Sequence, residues 1–561
     1  MPAAASVPER RPEEPGFLRF ASSWPPAWLL VFVSLAAAAV RVVLSLDRPL
    51  SYDCYLHAFI ATQDRWHNVM MVADLHPISY YALLRLASFL GEEPLILRSI
   101  GICAGAVSAF LLGWSARKVA ADSATAPLAA TAYAFSSAAI DLSLDLRGYM
   151  LCLFFILLSF VFLLRTLELA ERADDRAPPL FAVFAGAACA TEHYGVLYAG
   201  AALGVLAIAA GSEPAFRGSL AAWARRCRPG LAAVLAVPPI VAYALYRPRA
   251  LSLSVFGSQL GDLWPREGGS LVGFFLANLQ KELNLFLPFP IASRALFLGL
   301  LALAAAAAVL AARRGPAGMA GLRRGAAPMI LLVLLLELAG LSLARIYPFG
   351  GPMRHQSVIE PFLILSAFLT LDGLAAQLGS ETRRQALFLV AALAVSEASY
   401  ANAARLAAPA PPRGAHEYRV FERRFGRPRT VYVDRLSHVY LYAQTRDWRW
   451  TATRDFSRKD ADLEFRLRKR GESDRFVIRS RKYSFDLAQA AAWKSIAHAI
   501  RRARRDSATL FLITSDRDTY LADARKRERL YRRRARSEGL EIEKSHIAGR
   551  GFFATVSLKE R

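Results

Sequence analysis

AWLLVFVSLAAAAVRVVLSL, residues 27–46, carries one charge, Arg41, in a run long enough to cross about 30 Å of hydrocarbon as a helix. Overlapping its end comes SLDRPLSYDCYLHAF, residues 45–59, an acidic and aromatic loop that places Asp53 just outside the apolar run. A carboxylate there is placed to take a proton from an acceptor hydroxyl beside a membrane-held substrate. Similar runs recur at 95–115, 125–140, 148–165, 179–194, 196–211, 230–247, 294–312, 327–345, 357–377 and 386–402. The third, fifth and sixth are short. With 55% hydrophobic residues and a mean hydropathy of +0.27 over 561 residues, a purely soluble class is excluded. The pattern predicts a mainly α polytopic membrane protein with about 11 transmembrane helices.

Basic residues test that count independently. Arg10, Arg11 and Arg19 precede the first run; Arg117 and Lys118 follow the second; Arg225, Arg226 and Arg228 follow the sixth. Arg313, Arg314, Arg323 and Arg324 follow the eighth, and Arg383 and Arg384 the tenth. Alternate loops therefore carry the positive charge expected on the cytoplasmic side. This predicts a cytoplasmic segment 1–26, a membrane domain 27–402 and a soluble extracytoplasmic domain 403–561 in a cell inner (plasma) membrane. The leader is too long and charged, and the run after it too long, for an ordinary cleaved signal.

APAPPRG, residues 408–414, marks the change from Ala/Leu-rich to charged sequence. Beyond it TVYVDRLSHVYLYA reads as strand, turn and helix, DLAQAAAWKSIAHAIRRARR as an amphipathic helix, and ATLFLITSD as a strand. A basic helix and two final strands, around GLEIEKSHI and GFFATVSL, complete a small α/β domain. Residues 411–561 hold 38 basic against 20 acidic side chains, most of the chain's net +24. A basic outer face suits membrane lipids with anionic headgroups or a phosphorylated polymer. Nucleic acid is not expected there, and no Gly-rich phosphate loop follows any strand. The five cysteines show neither metal spacing nor a disulfide framework.

Polar residues of the membrane part cluster in loops expected on one face. The first loop holds Asp53, His57, Arg65, His67, Asp74 and His76; the second, Asp141, Asp145, Arg147 and Tyr149. The third is TEHYG, with Glu192, His193 and Tyr194; the fourth, RIYPFGGPMRHQS, holds Arg345, Tyr347, Arg354 and His355. Charged groups at an interface are costly unless they pair or meet a charged ligand, which points to one outward-facing cavity. His57 is four residues after Asp53, so on a helix the two share a face and are candidates for a divalent metal. Lys281, in the amphipathic ANLQKELNLF, would lie over the donor at the membrane surface.

Four segments carry a resemblance: DLHPISYYALLRLASFLGEEPLILRS (74–99), YAFSSAAIDLSLDLRGYML (133–151), ATEHYGVLYAG (190–200) and PMRHQSVIEPFLIL (352–365). In order and spacing they resemble the loops of family 39 type membrane glycosyltransferases, in the glycosyltransferase C superfamily with protein O-mannosyltransferases and the lipid A aminoarabinose transferase. The family's first-loop Asp-Glu pair reads Asp53-Cys54 here; Asp145, Arg147, Tyr149 and Arg354 match later positions, with His355 where an aromatic is common. The resemblance implies a sugar donor on polyprenyl phosphate and an acceptor hydroxyl on lipid, glycan or protein. Asp53 would be the general base of an inverting transfer, with Arg147 and Arg354 on the phosphate. Asp145 would orient the acceptor or pair Arg147, or serve as nucleophile in a retaining route. Tyr149, His193, Tyr194, His355, His57 and Lys281 would contact substrate. A transporter or flippase of lipid-linked saccharide, and a polysaccharide ligase or polymerase, are the competing readings.

Overall fold

A computed structural model describes residues 26–48, 50–72, 78–169, 176–192, 194–226, 270–286, 318–344, 349, 356–407, 415–454, 462–480, 486–513, 524–548 and 551–559. The chain folds as two compact units. One comprises Met1–Val42, Ile102–Ser143 and Tyr149–Leu406; the other comprises Val43–Gly101, Leu144–Gly148 and Ala407–Arg561.

Helices α1 (Pro26–Asp47), α2 (Tyr52–Ala61), α3 (Trp66–Val72) and α4 (Ile78–Ser88) open the described chain. Then come α5 (Pro94–Val119), α6 (Thr125–Ala134), α7 (Ser137–Leu144), α8 (Tyr149–Leu167) and α9 (Ala177–Thr191). α10 (Tyr194–Ser212), α11 (Pro214–Arg226), α12 (Leu271–Phe286), α13 (Gly318–Leu343), α14 (Ile359–Gln377) and α15 (Glu381–Ala407) follow. Among the described residues seven helices are long and apolar enough to cross a membrane: α1, α5, α8, α10, α13, α14 and α15. The protein is a multi-pass membrane protein. α9 is apolar but shorter, and the expected spans at 230–247 and 294–312 lie outside the described residues.

The expected single span at 125–140 is instead two helices. Ser136 interrupts it: its Oγ accepts a hydrogen bond from the Ala139 amide at 3.0 Å, capping α7, and donates to Glu360. Asn402 supplies the Phe135 carbonyl, freed by the break, with a donor at 3.2 Å. A break inside an apolar run is tolerated because neighbouring helices satisfy the released backbone groups.

Polar pairs also order the loops of this unit. Asp372, buried on α14, pairs with Arg324 and accepts from the amides of Ala121 (3.0 Å) and Asp122 (2.7 Å). Arg384 reaches Asp122 at 3.4 Å. The N-terminal turns of α13 and α15, which hold Arg324 and Arg384, and the residues just after Lys118, all expected on the cytoplasmic face, thus meet. Outward-facing Trp28, Phe32 and Leu35 on α1, and Leu389, Val390 and Leu393 on α15, are surfaces suited to lipid.

The second unit is built on a seven-stranded sheet. Helix α16 (Ala415–Phe425) leads into β1 (Thr430–Val433), α17 (Arg435–Gln444), β2 (Arg449–Ala452), β3 (Asp462–Arg468) and β4 (Arg475–Ser480). α18 (Ala490–Arg502), β5 (Ser507–Ile513), α19 (Ala524–Ser537), β6 (Leu540–Ala548) and β7 (Gly551–Leu558) close the chain. The strand order is β2-β3-β4-β1-β5-β7-β6, with β1 parallel to β4 and β5 and the remaining pairs antiparallel. The expected α/β tail is therefore present, extended by the β2–β4 meander. Trp493, fully buried on α18, anchors its core, donating its indole N–H to the Leu487 carbonyl at 2.9 Å.

Candidate active site

The residues between α1 and α5, together with the five-residue loop Leu144–Gly148, belong to the same unit as the tail. α2 starts where Ser51 caps it, its side chain accepting from the Cys54 amide at 3.2 Å, so Asp53 sits in the first turn. A carboxylate there is favoured by the helix dipole. Asp53 stays 30% exposed, and its Oδ2 pairs with Nη2 of Arg147, itself 8% exposed. Nε of Arg147 lies 3.9 Å from Oδ2 of Asp145. Two carboxylates from separate segments thus flank one largely buried guanidinium.

Cys54 joins these segments. Its thiol donates to Oδ1 of Asp145 at 2.9 Å, and its sulfur accepts from the Leu146 amide at 3.3 Å. Burial first, and then the Asp145 charge, push the thiol up to about 12, so it remains a protonated donor. Arg98 anchors the start of the loop. It donates to the carbonyls of Leu144 at 2.9 Å, Ser45 at 3.1 Å and Arg48 at 2.7 Å while 2% exposed. Tyr80 on α4 is buried in the field of Cys54, Asp145 and Arg147; burial holds its hydroxyl well above the usual range.

The expected site residues divide. Asp53, Asp145 and Arg147 come together. His57 turns inward instead, 2% exposed and stacked on Tyr81 at 5.4 Å, where it packs α2 against α4. Among the described residues no group of three or more His, Cys, Asp or Glu is placed to hold a metal ion. Tyr149 and Tyr194 meet in the other unit, both buried, their rings 5.8 Å apart at the starts of α8 and α10. Lys281 lies in α12, whose helix matches the expected amphipathic segment, but its side chain is outside the described set. His193, Arg354 and His355 also lie outside the described residues, as do Asp74 and His76.

Sequence reading missed Cys54, Arg98 and Tyr80 as parts of the site. Arg98 and Tyr80 stand within the segment 74–99, and an arginine inside the apolar run 95–115 was the available signal.

No protein-family model matches the chain, and no curated protein matches it. Solved structures do, among them two crystal structures of ArnT from Cupriavidus metallidurans, one bound to undecaprenyl phosphate and one in the apo state. The first is 12% identical with a TM-score of 0.51, the second 13% with 0.50. Each likeness covers 94% of this chain and 97% of the other. At that identity the likeness shows the fold alone, that of ArnT.

Proposed function

We propose that this chain is a membrane glycosyltransferase that moves a sugar from a polyprenyl-phosphate donor to an acceptor hydroxyl at the outer face of the membrane. The observation that carries the reading is the Asp53–Arg147–Asp145 cluster, assembled from the first turn of α2 and the Leu144–Gly148 loop in a chain whose fold is like that of ArnT. That one ArnT structure is bound to undecaprenyl phosphate supports the choice of donor.

In the resting site Arg147 is held by Asp53. A donor phosphate entering the site competes for the same guanidinium, which matches two phosphate oxygens as well as it matches a carboxylate. Asp53 is then released to accept the proton of the acceptor hydroxyl. The acceptor oxygen bonds to the anomeric carbon as the bond from that carbon to the phosphate oxygen breaks; the electron pair leaves on the phosphate. Arg147, oriented by Asp145, stabilises that charge, and one displacement gives inversion. Arg354 is the second phosphate ligand in this scheme.

The test uses purified protein in nanodiscs with a panel of polyprenyl-phosphate sugars and membrane extract, following lipid phosphate release and glycosylated product by mass spectrometry. Turnover by the wild type and none by Asp53→Asn supports the assignment; equal turnover in both removes Asp53 as base. One observation favours flipping of lipid-linked saccharide instead: the break between α6 and α7 beside the buried Glu360. Movement across sealed vesicles without bond cleavage would establish that reading.

A further inference from the structure

Ten residues of α2 make a rod about 15 Å long with two working sides. Asp53 and Cys54 meet the Leu144–Gly148 loop. Phe59, six residues after Asp53 and therefore about 240° around the helix, projects away from Asp53. It is fully buried among side chains of the C-terminal domain. Its ring stands edge to face with His438 at 4.3 Å, Phe465 at 5.0 Å, Tyr442 at 5.2 Å and Trp450 at 5.6 Å. Interplanar angles of 73–83° fit the preferred arrangement of aromatic quadrupoles on four sides at once. One turn earlier Tyr55 meets Tyr442 edge to face at 6.4 Å.

The cage comes from three parts of the tail: α17 gives His438 and Tyr442, β2 gives Trp450, and β3 gives Phe465. Trp450 and Phe465 belong to the antiparallel β2–β3 pair. A four-residue edge strand has little core of its own to serve. Placed here, its tryptophan closes one wall around Phe59.

From this geometry we propose that Phe59 is a positioning residue: by holding it in the His438–Tyr442–Trp450–Phe465 cage, the C-terminal domain sets where α2 presents Asp53. The catalytic part of this inference rests on the proposed transferase; the mechanical part does not. The helix is short and packed on both sides, so a cavity at Phe59 shifts or loosens the turn that carries Asp53. Reaction geometry is unforgiving, and a displacement of about 1 Å costs about a hundredfold in rate.

Cys54 is a reporter built into the same turn. It is 2% exposed and its thiol stays protonated, so it resists alkylation while α2 is in place. The experiment takes full-length protein in nanodiscs, with Cys103, Cys152, Cys189 and Cys227 replaced by Ala, and measures maleimide labelling at pH 7. Phe59→Ala is expected to raise the Cys54 labelling rate by about tenfold or more through local opening, with Phe59→Leu between it and wild type. Trp450→Ala, which breaks the cage from the domain side, should do the same. The double variant should label little faster than either single, because both remove one shared contact. Circular dichroism distinguishes local loosening from global unfolding. Cys54 as unreactive in both single variants as in wild type would overturn the proposal.

Where transfer is measurable, Phe59→Ala should lower kcat by about ten- to a hundredfold with donor KM nearly unchanged, and Phe59→Leu should restore part of it. If no donor supports transfer, the labelling result still decides whether the domain holds α2, and only the transferase reading fails.

Discussion

Two arginines, Arg98 and Arg147, attend the two ends of the loop Leu144–Gly148, and both are largely buried. Arg98 holds backbone carbonyls of Leu144, Ser45 and Arg48, acceptors that cannot move without unfolding the turn. Arg147 is paired with Asp53, a carboxylate still 30% exposed to solvent, and faces Asp145. The first arrangement makes a hinge pin, the second an exchangeable contact. A guanidinium does chemistry when its partner can be displaced by another anion, and architecture when its partners are the chain itself.

Substitution should separate these roles. The largest effect is expected at the exchangeable end. Asp53→Asn or Arg147→Ala should lower transfer by about a hundred- to a thousandfold, read as product formation with a lipid-phosphate donor. Folded stability should move by no more than about 1 kcal/mol for an ion pair with one exposed partner. Arg98→Ala should invert the pattern, costing about 3 kcal/mol because buried carbonyls lose their donor. It would show as earlier loss of folded protein on heating in nanodiscs. Arg98→Lys should recover little of this, since one ammonium on a flexible stem lacks the planar fork that serves three carbonyls.

A pH titration sharpens the comparison from the domain side. Burial, and then the nearby Arg479 and Arg435, hold His438 well below the usual histidine range. The unfolded chain therefore takes up a proton near pH 6.5 that the folded chain refuses. Stability on this account is full above that pH and falls as pH drops below it, by at most about 1.4 kcal/mol per pH unit. Glu92, raised from its usual value by burial, works in the opposite sense, so the difference between wild type and His438→Phe isolates the histidine. The wild-type slope between pH 6.5 and 5 should flatten in that variant. The smallest effect is expected at Cys54→Ala. Loss of the Sγ–H···Oδ1 bond to Asp145 should cost about 1 kcal/mol and lower transfer by less than tenfold.

Much of this architecture was legible in the chain. Apolar runs near 20 residues become helices of membrane-crossing length because hydrocarbon leaves the backbone no partner but itself. In the tail, the amphipathic spacing around Trp493 and the alternation in GFFATVSL became the expected helix and strand. The break at Ser136 was not legible, since Ala, Phe and Ser there read as one continuous run and the donors that permit the break come from Asn402 and the backbone of α7. Nor were β2–β4: β2 is only four residues long, charged residues break up the apolar pattern of β3, and in β4 the arginines Arg475 and Arg479 are buried, against what their charge suggests.

By itself the sequence determined where apolar segments lie, that a basic α/β domain follows them, and that Asp53, Asp145 and Arg147 stand in polar loops beside them. These are local properties, decided by periodicity and charge along the chain. Tertiary structure alone decided that Arg147 turns to Asp53, that Cys54 bonds Asp145, that His57 faces the interior, and that Phe59 enters the C-terminal domain. Each depends on partners 24 to more than 300 residues away, and a spacing in sequence holds no information about which distant donor will fill a buried polar or aromatic position.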